Sequence, residues 1–182
     1  MERVVHFGER RERLPQAVDL TPRRVADSVT VLSVVMEIEH TNNAGYVHGG
    51  TIMRLVDSAA GIAAIKHARR RVVTASMDDM SFVSPVYIGD VVTVRAMVND
   101  AHRTSMEIGA RVDVEGVLTA GVRHVASAHL VYVGLDENGR PAPVPPVLAE
   151  TEDEKRRQAQ ARIRREQRLL RKRALQHAGE NG

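Results

Sequence analysis

Residues 41–61 read TNNAGYVHGGTIMRLVDSAAG, and the fold turns on this stretch. A polar, Asn-rich loop runs through Gly45 into the pair Gly49-Gly50. An almost wholly apolar segment follows, roughly to Lys66, with one carboxylate, Asp57, in its middle. Glycines at a helix start let a ligand approach the backbone closely. The free N–H groups there favour negative charge. An acid inside an apolar helix is costly unless something satisfies or uses it. The spacing predicts a helix over about 49–67, with an oxyanion site at its start and a catalytic carboxylate within it.

Working outward, Ser28–Glu39 is Val-rich and alternates loosely, a first strand with Leu32, Val34, Met36 and Ile38 on one face. Further strands are predicted over Val72–Val83, Val91–Val98, Thr104–Val114 and Leu118–Leu135, with turns at Ser84-Pro85, Ile88-Gly89-Asp90 and Glu115-Gly116. Thr104–Val114 alternates most cleanly. Met106, Ile108, Ala110, Val112 and Val114 face one way, and Glu107, Arg111 and Asp113 the other, which predicts one buried and one wet face. PAPVPP at 141–146 cannot be helix. Glu150–His177 reads as a charged, solvated helix lying on the body or on a partner subunit, with a thin apolar stripe of Ala159, Ile163, Leu170 and Ala174 and a Thr151/Glu154 capping box at its start.

A helix apolar nearly all round must be wrapped. One curved, antiparallel, five-stranded sheet around the central helix does this. The fold class is therefore α+β with the hotdog arrangement, plus a charged C-terminal helix. Three regions are expected: an irregular lead-in over 1–27, the hotdog domain over 28–148 and a helical tail over 149–182. Such a sheet has exposed edges, and pairing two edges across a two-fold axis removes them, so a homodimer is expected.

Composition narrows the functions. With 182 residues, 43% hydrophobic, the chain has enough for a core of Val, Ala, Leu, Ile and Met. There is no cysteine, which excludes a thiol nucleophile, a disulfide framework and a Cys-based zinc site. No leader-like or membrane-spanning apolar run is present, so a cytoplasmic protein with no membrane span is expected. The net charge of +3 comes from residues 150–182, which hold 10 basic and 6 acidic groups. The rest of the chain is near neutral, so a nucleic-acid partner has no electrostatic support.

The runs TNNAGYVHGGTIMRLVDSAAGIAA, VVTASMDDMSFVSPVYIGDVV and RTSMEI, and the tail PVPPVLAETEDEKRR, resemble the acyl-CoA thioester hydrolases, closest to the cytosolic brain-type enzymes and their bacterial single-domain relatives. The resemblance covers roughly residues 25–160. It implies hotdog subunits assembling as a trimer of dimers. It implies hydrolysis of acyl-CoA to fatty acid and CoA, with no metal and with CoA only as part of the substrate. The family's loop asparagine falls on Asn42, its helix aspartate on Asp57 and its glycine pair on Gly49-Gly50.

Each candidate has a plainer reading beside it. Asp57 is general base or nucleophile, or a buried Asp that accepts backbone hydrogen bonds. Asn42 positions the water or the thioester oxygen, or forms a turn. Gly50 offers its N–H to the carbonyl oxygen, or permits tight helix–sheet packing. His48 is a weaker base candidate. CoA phosphates need cations, and Arg103 with Thr104 and Ser105 is the first choice; Arg69-Arg70-Arg71 is the second. His124 and His129, five apart on one strand, are expected on opposite faces, so no metal site is expected. Two turns separate Gly50 from Asp57, about 10 Å along the axis, so if both act on one thioester carbon they are expected to come from different subunits. A hydratase would carry a histidine five residues after Asp57, where Ile62 stands; a non-catalytic acyl-CoA sensor would use the basic tail as its effector contact and carry a DNA-binding helix pair, for which residues 1–27 are too short and polar.

Overall fold

The computed structural model describes residues 19–116 and 119–180. Residues 1–18 of the lead-in, including Pro15, and Leu118 at the expected start of the fifth strand lie outside them. The elements are β1 (Arg23–Arg24), β2 (Thr30–Val35), α1 (Gly49–Ala68), β3 (Arg71–Phe82), β4 (Asp90–Ala101), β5 (Ser105–Gly116), β6 (Thr119–Leu135), β7 (Val147–Leu148) and α2 (Glu152–Glu180). Short 3-10 turns occupy Val25–Ser28 and Ile38–His40.

Five strands form one sheet in the order β2-β4-β5-β6-β3, every pair antiparallel. The sheet curves around α1, as the apolar helix requires. Alternate residues of β4, β5 and β6 (Val92, Val94, Val98, Ile108, Val112, Leu130) are fully buried against Ile52, Val56, Ala59, Ala60 and Ala63 of α1. The alanines let the helix sit close to the sheet. β1 and β7 add a two-stranded parallel ribbon.

PAPVPP is extended, as proline demands, and is tied down by Ala142 N–H donating to the Gly134 carbonyl and Val144 N–H to the Arg103 carbonyl. A Cβ at Gly134 would lie 2.6 Å from Val144 Cγ1, so only glycine allows this close approach. His67, at the end of α1, is buried and meets the Pro145 carbonyl at 2.8 Å through Nε2. Burial holds its pKa below the usual histidine value, and the Pro145 hydrogen bond opposes the shift.

The structure corrects several expectations. The first strand ends at Val35, because the chain turns through Ile38–His40; Ile38 is 77% exposed rather than facing the core with Met36. The outer face of β5 is only partly wet: Arg111 and Glu115 are exposed, but Glu107 and Asp113 are buried. α2 lies across this face through ion pairs. Arg164 pairs with Glu107 at 2.6 Å, Arg168 with Asp78, and Gln158 donates to Asp100 at 2.9 Å. Ala161 is the buried apolar residue of α2, while Ile163 and Leu170 point to solvent. The apolar stripe thus runs along the outside of α2, because buried acids on the sheet select its arginine face. Its Thr151/Glu154 capping box is present.

His124 and His129 share one face. A register shift between Val112 and Asp113 places His124 opposite Asp113 and His129 opposite Gly109, and the extra residue restores the alternation. Finally, α1 is not wrapped all round. Met53, Asp57, Ile62 and Ile65 lie on a side that the chain leaves open.

Candidate active site

Asp57 is on that open side of α1, exposed rather than buried. Its Oδ1 accepts two hydrogen bonds, from Thr74 Oγ1 at 2.8 Å and from Tyr132 Oη at 2.7 Å. The Tyr132 hydroxyl also lies 2.9 Å from the Asp57 carbonyl oxygen. Among the described residues, Oδ2 accepts nothing. The carboxylate is therefore gripped by one oxygen and presents the other.

The two donors are cross-strand neighbours, since Thr74 of β3 lies opposite Tyr132 of β6. A register shift follows Thr74 directly, and such irregularities re-aim a side chain. Tyr132 is 2% exposed, so its hydroxyl needs a partner at the far end of the ring. Burial pushes its pKa well above the usual tyrosine value, and the Asp57 carboxylate adds to the shift. Neither Thr74 nor Tyr132 was singled out from the sequence. The available signal was weak: threonine and tyrosine are ordinary strand residues.

The loop before α1 is built on Asn42. Its Oδ1 accepts from Ala44 N–H at 2.9 Å and Tyr46 N–H at 3.3 Å, and Gly45 closes the turn at φ 81°. The turn role is thus filled by the oxygen, while the side-chain NH₂ has no partner among the described residues. Asn42 can donate to a ligand but is poorly placed to accept from a water. No hydrogen bond links it to Asp57 within the chain.

Gly49 and Gly50 start α1 and are exposed. The first helical donors after them, Thr51 and Ile52, bond to the His48 carbonyl, and the N–H groups of Gly49 and Gly50 have no partner among the described residues. A Cβ at Gly50 would meet nothing within 4 Å, so tight packing does not explain this glycine. At Gly49 it would rest 3.6 Å from the Phe82 ring. Phe82, with Tyr46, Ile52 and Val86, lines a cleft of about 430 Å³ beside Gly49. His48 is an exposed N-cap with no side-chain capping bond.

Arg103 and Thr104 form the turn between β4 and β5, and Ser105 begins β5. Arg103 is exposed, and its side chain has no partner among the described residues. Of the three consecutive arginines, Arg70 is buried beside Gly134 and is not free to meet phosphate; Arg69 caps α1 in the left-handed conformation at φ 50°. No cluster of metal-binding side chains occurs among the described residues, and none of their helices is long and apolar enough to cross a membrane.

A family model described as the thioesterase superfamily matches residues 44–120, which take in the glycine pair, α1 and β3. The cytosolic acyl coenzyme A thioester hydrolase of Rattus norvegicus is 41% identical over 115 residues, 62% of this chain. The match spans only 30% of the length of that relative. A crystal structure of an apo-hexameric acyl-CoA thioesterase superposes with a TM-score of 0.80 at 36% identity, covering 83% of this chain and 97% of the other. The acyl-CoA hydrolase of Staphylococcus aureus, solved with butyryl coenzyme A and coenzyme A, gives a TM-score of 0.80 at 32% identity, with 87% and 96% covered. That hydrolase has also been solved with an asparagine, an aspartate and a threonine each changed to alanine. Those three are spaced along its sequence as Asn42, Asp57 and Thr74 are along this one. With the curved sheet, the central helix and near-complete coverage of solved relatives in agreement, the chain belongs to the acyl-CoA thioesterase family of hotdog proteins.

Proposed function

We propose that this protein hydrolyses acyl-CoA thioesters to free fatty acid and CoA, in the cytoplasm and with no metal or further cofactor. The observation that carries the reading is Asp57, a carboxylate on the open face of α1 held by Oδ1 with Oδ2 free. In the proposed step Oδ2 takes a proton from water as the water oxygen bonds to the thioester carbon. The carbonyl oxygen gathers negative charge and is met by the open N–H of Gly50 and the positive end of α1. Asn42 adds a donor from its free NH₂. The tetrahedral adduct then collapses, the C–S bond breaks, and the proton on Asp57 passes to the CoA sulfur.

Gly50 and Asp57 cannot serve one carbon from the same helix, so each site takes Asp57 from one subunit and Asn42 and Gly50 from its partner. The open face supports this assembly. Met53, Ile62 and Ile65 on α1 are 41%, 44% and 51% exposed, and β3 beside them is an unpaired sheet edge. A lone chain rarely leaves such surface bare. A two-fold pairing along β3 covers both, and three such dimers make the hexamer. Arg103, Thr104 and Ser105 are then the proposed contacts for the nucleotide end of CoA, with Gly49 against the pantetheine.

The test is release of free thiol from acyl-CoAs of increasing chain length, with and without a chelator. Hydrolysis that survives the chelator and falls roughly a hundredfold or more in Asp57→Asn is expected, the usual worth of a general base. Activity lost to the chelator and restored by a divalent ion overturns the reading. So does a fully active Asp57→Asn.

A further inference from the structure

We propose that Tyr132 is a positioning residue for this hydrolysis: its hydroxyl, together with that of Thr74, fixes Oδ1 of Asp57 so that Oδ2 alone meets the water. The inference rests on the reading of Asp57 as the catalytic carboxylate. Asp57 is exposed on a helix surface, where an unrestrained side chain turns freely between rotamers. A base gains most when its reactive atom is held in one place before the substrate arrives.

Tyr132 is suited to that task. Its ring is buried, with Met106 on one neighbouring strand and Thr74 on the other. Its far end crosses to α1 over Gly61, where a Cβ would lie 3.7 Å from the hydroxyl oxygen. The hydroxyl has one hydrogen, and the shorter of its two contacts, 2.7 Å against 2.9 Å, is to Oδ1 rather than to the helix carbonyl. Both hydroxyls grip the same oxygen, which makes the two ends of the carboxylate unequal. With its pKa raised, the phenol stays protonated through the neutral range and acts as a donor, never as the base.

Tyr132→Phe keeps the ring in the core and removes only the hydroxyl. It is expected to lower kcat about tenfold, the worth of one hydrogen bond to a charged group, while KM stays within about twofold. In an Asp57→Asn background the same change should leave the residual rate unaltered. In a Thr74→Val background its effect should grow, because no second donor then holds Oδ1. A Tyr132→Phe enzyme with unchanged kcat overturns the proposal. So does a loss confined to KM, a loss equally large beside Asp57→Asn, or an effect of the same size with and without Thr74. Should Asp57→Asn itself retain full activity, the reading of Asp57 fails first, and that result is separate from any effect of Tyr132.

Discussion

Arg103 illustrates what one residue contributes when the fold leaves it alone. Its carbonyl anchors Val144, but its guanidinium reaches nothing among the described residues. Phosphate contacts far from the scissile bond add equal binding to ground and transition states. Arg103→Ala should therefore raise KM for acyl-CoA several-fold and leave kcat unchanged, and the loss should shrink for an acyl-pantetheine lacking the nucleotide. An unchanged KM in steady-state assays would mark Arg103 as a surface turn residue. At this scale Asp57 stands out in the sequence as a lone acid in an apolar segment, although the structure leaves it exposed. Thr74 and Tyr132 were not, since their hydroxyls acquire meaning only from the partner that the fold brings to them.

The charged helix α2 departs most from expectation among the elements. Its acids at the start and bases toward the end were plain in the sequence, as was its capping box. Its orientation was not, because helical periodicity selects the few apolar residues as the buried stripe. The sheet beneath carries Asp78, Asp100 and Glu107, so the arginines turn inward instead. Glu107 is buried, with Asn99 its one other side-chain donor among the described residues. Arg164→Ala should cost about 3 kcal/mol, since it strands a buried carboxylate under the helix, and lower Tm by roughly 5–10 °C. Arg171→Ala, on the exposed part of α2, should change Tm by less than about 1 °C. Equal melting of the two variants would show that water satisfies Glu107 without Arg164.

At the scale of the whole molecule, the proposed two-fold assembly is what completes the proposed site. If Asn42 and Asp57 of different subunits build each site, Asn42→Ala and Asp57→Ala homodimers are each inactive, with every site damaged once. A mixed dimer has one site with both lesions and one with neither. Random reassortment makes about half the dimers mixed, so roughly a quarter of the parent activity should return after co-refolding. Mixing the folded proteins without subunit exchange should return none. Differently tagged parents that co-purify as dimers yet stay inactive would place both residues in one subunit's site.

The amino-acid sequence by itself determined the central helix, the five strands around it, the loop on Asn42, the glycine start and the acid at 57. Each of these follows from local signals: periodicity, turn residues, and a lone carboxylate in an apolar run. Helix Gly49–Ala68 and strand Ser105–Gly116 lie close to their expected limits for that reason. Only the tertiary structure decided which faces are open. The Val125 irregularity moves His124 onto the face of His129, the buried acids of the outer face turn α2 over, and β6 carries Tyr132 across to Asp57. These outcomes depend on contacts between residues far apart in the chain, such as Asp57 with Tyr132. No pattern within a single element encodes such contacts.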